Sequence, residues 1–234
     1  MRTADRAFVD FVRLVATGPL GEVARRLTDT PALATTAADV GATRQSATPF
    51  FFAEIRHYLY RGDTALHIAA AAFRRPAALL LVKHGARCRA RNRMGAEPLH
   101  YAADANHWDP ASQAEIIEYL ISIGANPVAA DGKGVAPLHR AVRTRSLAAV
   151  RALIDSGADP RQPNKAGSTP LHLAVQTTGK GGSGSPRARE QQIGIIKVLL
   201  ERGARPTDRD GKGKPVRDAA RNEEIRRLLN DAAG

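Results

Sequence analysis

The sequence predicts an all-α repeat solenoid, built from helix-turn-helix units joined by hairpin finger loops. Three observations predict it. A Leu-His pair recurs at Leu66-His67, Leu99-His100, Leu138-His139 and Leu171-His172. The apolar stretch after each pair ends in Gly-Ala, at Gly85-Ala86, Gly124-Ala125, Gly157-Ala158 and Gly203-Ala204. From each of the first three of these glycines to the next signature leucine the distance is 14 residues, although the leucines themselves are 33, 39 and 33 residues apart. A register that stays constant in one segment and varies in another marks one supersecondary unit copied in tandem, with insertions confined to one place.

Each part of the unit has a physical reason. Thr169 can cap a helix by accepting from unpaired backbone N–H groups, and Pro170 suits the first helical position. The second helix of each unit carries apolar residues at helical spacing, as in Ile116, Ile117, Leu120 and Ile121, or Val150, Leu153 and Ile154. The following glycine can adopt the left-handed conformation that stops a helix. Asn92-Arg93-Met94-Gly95 and Asn164-Lys165-Ala166-Gly167 carry turn residues and are expected to form the fingers.

The segments Thr64-Ala65-Leu66-His67-Ile68-Ala69, Glu97-Pro98-Leu99-His100-Tyr101-Ala102, Ala136-Pro137-Leu138-His139-Arg140-Ala141 and Thr169-Pro170-Leu171-His172-Leu173-Ala174 resemble the signature of the ankyrin repeat. The resemblance covers residues 61–230 and is to a stand-alone protein of the bacterial type. Glu97 and Ala136 replace the capping threonine and Ala65 replaces the proline, so those units are expected to start their first helix less firmly.

The predicted organisation is an N-terminal capping repeat plus an inserted helix over 1–60, four repeats over 61–209 (about 61–91, 92–130, 131–163 and 164–209), and a C-terminal capping repeat over 210–234. Terminal units with a polar outer face are what a stack requires. Phe8, Phe11, Val12 and Val15 form one N-terminal helical face, and Leu20, Val23, Ala24 and Leu27 a second. Thr48-Pro49 is expected to start a helix with Phe51, Ile55, Tyr58 and Leu59 on one side. Phe50, Phe51 and Phe52 are expected to pack over the first repeat; the alternative is that Phe50 or Phe52 projects as an anchor for a partner. Arg217 stands at the histidine position of the last unit, and Ile225, Leu228 and Leu229 close the chain.

Two units are longer than the others, by six residues around Asn106-His107-Trp108-Asp109-Pro110 and by thirteen at Thr177 to Pro186, which holds Gly and Ser. Both insertions fall between the two helices of their unit. Trp108, the single tryptophan, either serves as a binding hot spot or folds back over an apolar gap. The Gly-rich stretch lacks phosphate-loop spacing, because Gly179-Lys180 is followed by Gly181 rather than Ser or Thr. It reads as a flexible loop.

No catalytic, cofactor or metal site is predicted. Four of the seven histidines belong to the repeat and are expected to order it. His100, Asp104, His107 and Asp109 are the one dense His/Asp cluster, without metal-site spacing. Cys88 lies among Arg87, Arg89 and Arg91 but has no evident base, and is read as an incidental thiol. A single cysteine suits a reducing compartment, so a cytoplasmic location is expected. No apolar run is long enough to span a membrane, and residues 1–15 carry Asp5 and Asp10 in place of a secretion signal's apolar stretch.

The formal net charge is +12. Residues 1–60 hold seven arginines against six acids, which leaves +11 to the remainder. The resemblance implies binding through a concave face and finger tips. Carried onto this chain, with Trp108 from the insertion, it points to Arg93, Met94, Trp108, Lys133, Arg143, Arg145, Lys165 and Lys212. A basic surface of this kind favours an acidic protein partner. The alternative is nucleic acid or another polyanion on the same surface, against which stand an aromatic content of 5% and the lack of a recognised nucleic-acid motif.

Overall fold

A helix shorter than about 12 residues is marginal alone in water, so it forms only where packing and end-capping sustain it. That is the situation in each repeat. The computed structural model describes residues 3–104, 109–176 and 184–232. These residues form two compact units, 1–126 and 127–234.

In residues 1–126, α1 (Thr3–Thr17) and α2 (Leu20–Asp29) form a first helical pair. It is followed by α3 (Ala65–Ala71) with α4 (Arg75–Lys83), and α5 (Pro98–Ala102) with α6 (Pro110–Ser122). The first helices of the pairs pack on each other, α1 on α3 and α3 on α5. The second helices do likewise, α2 on α4 and α4 on α6. The core between the two layers holds Phe11, Leu27, Leu66, Leu81, Leu99 and Leu120, all fully buried. Arg74 ties the first pair to the second: its guanidinium donates to the carbonyls of Val15 (2.9 Å) and Gly18 (2.7 Å), groups that the end of α1 leaves unpaired.

In residues 127–234 the pairs are α7 (Pro137–Arg143) with α8 (Leu147–Asp155), α9 (Pro170–Ala174) with α10 (Pro186–Glu201), and α11 (Val216–Ala219) with α12 (Glu223–Asp231). Here α9 packs on both α7 and α11, and α10 on α8. Leu138, Val150, Leu153, Leu171, Ile196, Leu199 and Leu229 form the core. Ser146, Ser185 and Asn222 cap the second helices by accepting from Ala149, Ala188 and Ile225 N–H. Gly157, at φ +93°, ends α8 in the conformation a side chain would oppose.

The signature histidine serves the same backbone N–H in each of the four clear repeats. Its Nδ1 accepts the backbone N–H three residues earlier, from Thr64 to His67 (3.1 Å), Glu97 to His100 (3.1 Å), Ala136 to His139 (3.2 Å) and Thr169 to His172 (3.2 Å). Its Nε2 points at a carbonyl of the next unit: Ala96 for His67 (3.1 Å), Ser168 for His139 (3.2 Å) and Lys214 for His172 (3.3 Å). An acceptor at Nδ1 and a donor at Nε2 require the neutral ring with its proton on Nε2. In the units with Glu97 or Ala136 at the cap the histidine still accepts the cap N–H, and α7, which follows Ala136, is as long as α3, which follows Thr64.

The helix expected from Thr48 onward does not form. A 3-10 turn over Thr48–Phe50 leads into β1 (Phe51–Phe52), a second 3-10 turn over Ala53–Ile55 and β2 (His57–Tyr58). The strands pair antiparallel, Phe51 with Tyr58 and Phe52 with His57. Phe50 and Phe52 are buried while Phe51 is half-buried, so the aromatic run obeys the period of a strand. Arg56, at φ 47°, makes the turn between the strands. Neither Phe50 nor Phe52 projects, and the Arg13 guanidinium lies 4.6 Å from the centre of the Phe52 ring.

Burial pulls the His139 ring below its ordinary pKa of 6.5, partly opposed by the Ser168 and Gln162 carbonyls. The bridge's stabilisation is thus complete above pH 6.5 and is lost as pH falls through the lowered folded value. His139→Leu leaves the Ala136 N–H and the Ser168 carbonyl unpaired. It is expected to destabilise residues 127–234 by about 2–5 kcal/mol at pH 7.5, measured by urea unfolding. The gap between wild type and variant is expected to shrink on acidification below pH 6.5.

Candidate functional site

The fingers are built around one side chain each. Asn92 Oδ1 accepts from Met94 and Ala96 N–H (2.9 and 3.0 Å), and Asp131 Oδ1 from Lys133 and Val135 N–H (2.8 and 3.0 Å). Asn164 and Asp210 repeat the geometry toward Ala166 and Ser168, and toward Lys212 and Lys214. An Asn or Asp at the base, two residues ahead of a free tip, holds the turn from inside and leaves the tip side chains in solvent. At Asp131, burial works against ionisation. The two N–H groups and the Arg140 guanidinium outweigh it and hold the carboxyl below the usual carboxylate range.

Successive fingers also bond to one another. In residues 1–126 the Arg93 N–H donates to the Arg61 carbonyl (3.1 Å). In residues 127–234 the Lys165 N–H donates to the Lys133 carbonyl (3.2 Å) and the Gly211 N–H to the Ala166 carbonyl (3.0 Å). These bonds set tip side chains in a row: Arg61 and Arg93 in the first unit, and Lys133, Lys165 and Lys212 in the second, all exposed.

Of the residues singled out in the sequence, Arg93, Met94, Lys133, Lys165 and Lys212 lie on finger tips, and Arg143 is exposed at the end of α7. Arg145 sits differently. Its backbone has φ 59°, one Nη donates to the Gln176 carbonyl (3.0 Å), and burial lowers its pKa. It braces two repeats instead of extending into solvent. Asp104, a member of the His/Asp cluster in the sequence, is buried. Trp108, His107, most of the first insertion and residues 177–183 of the second lie outside the described residues.

Sequence reasoning missed a buried polar cluster. Asp63 is fully buried, and its carboxylate accepts from Tyr60 N–H (2.6 Å), the Asn92 amide (2.9 Å) and the Tyr101 hydroxyl (2.8 Å). The His57 ring stacks at a tilt on Tyr101, centroids 4.5 Å apart. Aligned with the other repeats, Asp63 occupies the slot of Ala96, Val135 and Ser168, and Tyr101 that of Ile68, Arg140 and Leu173. An acid and a phenol in successive units, at positions one residue before the cap and one after the histidine, were the available signal. The cluster ties the β1–β2 hairpin to the first finger and is closed to solvent.

Little here resembles a reaction centre. The Cys88 thiol donates to the Ile123 carbonyl (3.3 Å), and burial raises its pKa, the reverse of an activated nucleophile. Among the described residues no three His, Cys, Asp or Glu side chains are placed to hold a metal ion, and no helix is long and apolar enough to cross a membrane. A cavity of about 480 Å³ between α10 and α12 is lined by Lys197 and Arg227 but also by Glu223, Glu224 and Asp231, so it presents no single sign of charge.

The family model described as ankyrin repeats (3 copies) matches residues 37–131 and, in a second overlapping match, residues 111–210. No curated protein matches the chain.

Burial pushes the Asp63 carboxyl up to about 6 against the pull of its three donors. Between the ordinary value of 3.8 and about 6, folding takes up a proton, so this group's contribution to stability falls as pH rises through that window. Asp63→Asn is expected to abolish that component while costing about 1–3 kcal/mol at pH 7, since one amide oxygen cannot serve three donors. Hydrogen exchange of residues 57–66 at pH 5 and 7, in both proteins, measures it.

Proposed function

The chain belongs to the ankyrin-repeat family, and on that premise we propose that it is an interaction scaffold whose basic finger tips bind an acidic protein partner. Ankyrin repeats are in general protein–protein interaction modules. The observation that carries the finer reading is the row of Lys133, Lys165 and Lys212, held at successive tips by finger-to-finger hydrogen bonds and exposed to solvent. Arg61 and Arg93 repeat it in the first unit.

A row of cations on a braced backbone costs little ordering when a partner arrives, and its field speeds the encounter with an acidic surface. Lys165 spends one N–H on the Gly132 carbonyl (2.8 Å), which fixes its ammonium beside the neighbouring finger. Lysines also match this role: an ammonium is a compact point charge that meets carboxylates without demanding planar geometry.

The test is a fluorescence-anisotropy titration of a labelled Glu/Asp-rich peptide and of random-sequence duplex DNA, at low and raised salt. The peptide is expected to bind. The triple variant Lys133→Glu, Lys165→Glu, Lys212→Glu is expected to weaken it about tenfold or more, with the loss mainly in association rate and the circular dichroism unchanged. Tighter binding of DNA with a steep salt slope would replace the protein partner with a nucleic acid.

A further inference from the structure

The segment from Gly41 to Tyr60 is not required by the repeat, yet it is built firmly. The Ala38 N–H donates to the Asp63 carbonyl (2.8 Å), the Gly62 N–H to the Ala38 carbonyl (2.7 Å) and the Ala42 N–H to the Leu59 carbonyl (2.8 Å). Gly41 lies so close to this second stretch that a Cβ there would collide with the backbone of Tyr60 and Arg61. A turn closed by the Thr43 N–H on the Ser46 carbonyl (3.1 Å) then returns the chain toward β1.

The result is a cavity of about 250 Å³ beside the first finger. Ala42 and Ala47 line it with the rings of Tyr58 and Tyr60, whose centroids are 6.2 Å apart. Phe51 supports Tyr58 from behind, at 4.8 Å between centroids. Two arginines complete the lining. Arg93 reaches in from the finger and is anchored by one Nη on the Ala42 carbonyl (3.0 Å), while Arg44 is exposed on the turn and makes no ion pair among the described residues. Among the described residues no carboxylate lines the cavity.

This combination has a chemical meaning. Two guanidinium groups in the lining favour a carboxylate, which accepts charge-assisted N–H bonds from them. The half-buried tyrosines and alanines favour an apolar side chain. The volume is below the roughly 300–1,000 Å³ of small-molecule sites and suits one or two side chains. The two tyrosine rings are tilted at 49° to each other, which makes an apolar wedge and not the open flat platform on which a nucleic-acid base stacks.

We propose that this cavity is a peptide subsite: it takes a partner segment in which an acidic residue adjoins an aromatic one, the carboxylate meeting Arg44 and Arg93 and the ring lying against Tyr58 and Tyr60. The proposal rests on the reading of the chain as a binder of acidic protein, and assigns to the non-repeat hairpin a specificity that a row of finger lysines lacks. Charge at the tips selects acidic surfaces in general; the cavity selects what stands next to the acid.

The experiment is a titration of the full chain, followed by amide NMR shifts, with acetyl-Asp-Phe-amide, acetyl-Asn-Phe-amide and adenosine monophosphate. The Asp-Phe probe is expected to give saturable shifts at Thr43, Arg44, Tyr58, Tyr60 and Arg93. The Asn-Phe probe is expected to bind about tenfold more weakly or worse. Arg44→Gln, an exposed change on a turn, is expected to remove the preference for Asp over Asn while leaving the remaining spectrum in place. Absence of saturable shifts, equal binding of the Asn probe, or tighter binding of the nucleotide at these residues would overturn the proposal. The finger variant with Lys133, Lys165 and Lys212 replaced by Glu is expected to bind the dipeptide as wild type does. Failure of the dipeptide with retained binding of the acidic peptide therefore refutes the subsite alone, and the converse refutes the finger reading alone.

Discussion

The bond pair made by the signature histidine is the constraint on which the rest of the structure depends. Each first helix is only five to seven residues long in α3, α5, α7 and α9. Helices of that length have almost no intrinsic stability, and their N–H groups need acceptors. One imidazole supplies the acceptor at Nδ1 and, in His67, His139 and His172, reaches a carbonyl of the next repeat through Nε2. Because the ring must be neutral to do both, the same residue that might suggest acid–base chemistry is committed to holding the fold.

Much of this was legible in the sequence because the information is local and repeated. The 14-residue register places each finger and first helix, and the apolar spacing of Val150, Leu153 and Ile154 places a second helix that the structure contains. Position 48–59 misled because Phe51, Ile55, Tyr58 and Leu59 also fit a helical face. What decides for the hairpin is tertiary: Phe50 and Phe52 enter the core, and Arg56 can turn the chain at positive φ. Asp63 and Tyr101 were hidden for the opposite reason. Each looks ordinary alone, and only their placement across two units brings carboxylate and phenol within 2.8 Å. Arg145 looked like a surface cation because nothing local shows that it reaches the Gln176 carbonyl.

The division of labour follows from these contacts. Side chains at the base of each finger, Asn92, Asp131, Asn164 and Asp210, face inward and are occupied by backbone N–H groups. At the tips Arg93, Lys133, Lys165 and Lys212 are exposed and basic. The hairpin around Tyr58 shows how a segment outside the repeat acquires shape: it borrows a rigid edge from the repeat and adds aromatic walls and an arginine of its own.

The central claim, that the signature histidines are neutral structural bridges, is tested most directly by the nitrogen shifts and proton couplings of their rings in the folded protein near pH 7. The account predicts the proton on Nε2 for His67, His139 and His172, and for His139 a titration below 6.5. A proton on Nδ1, or a His139 titration above 6.5, would contradict it.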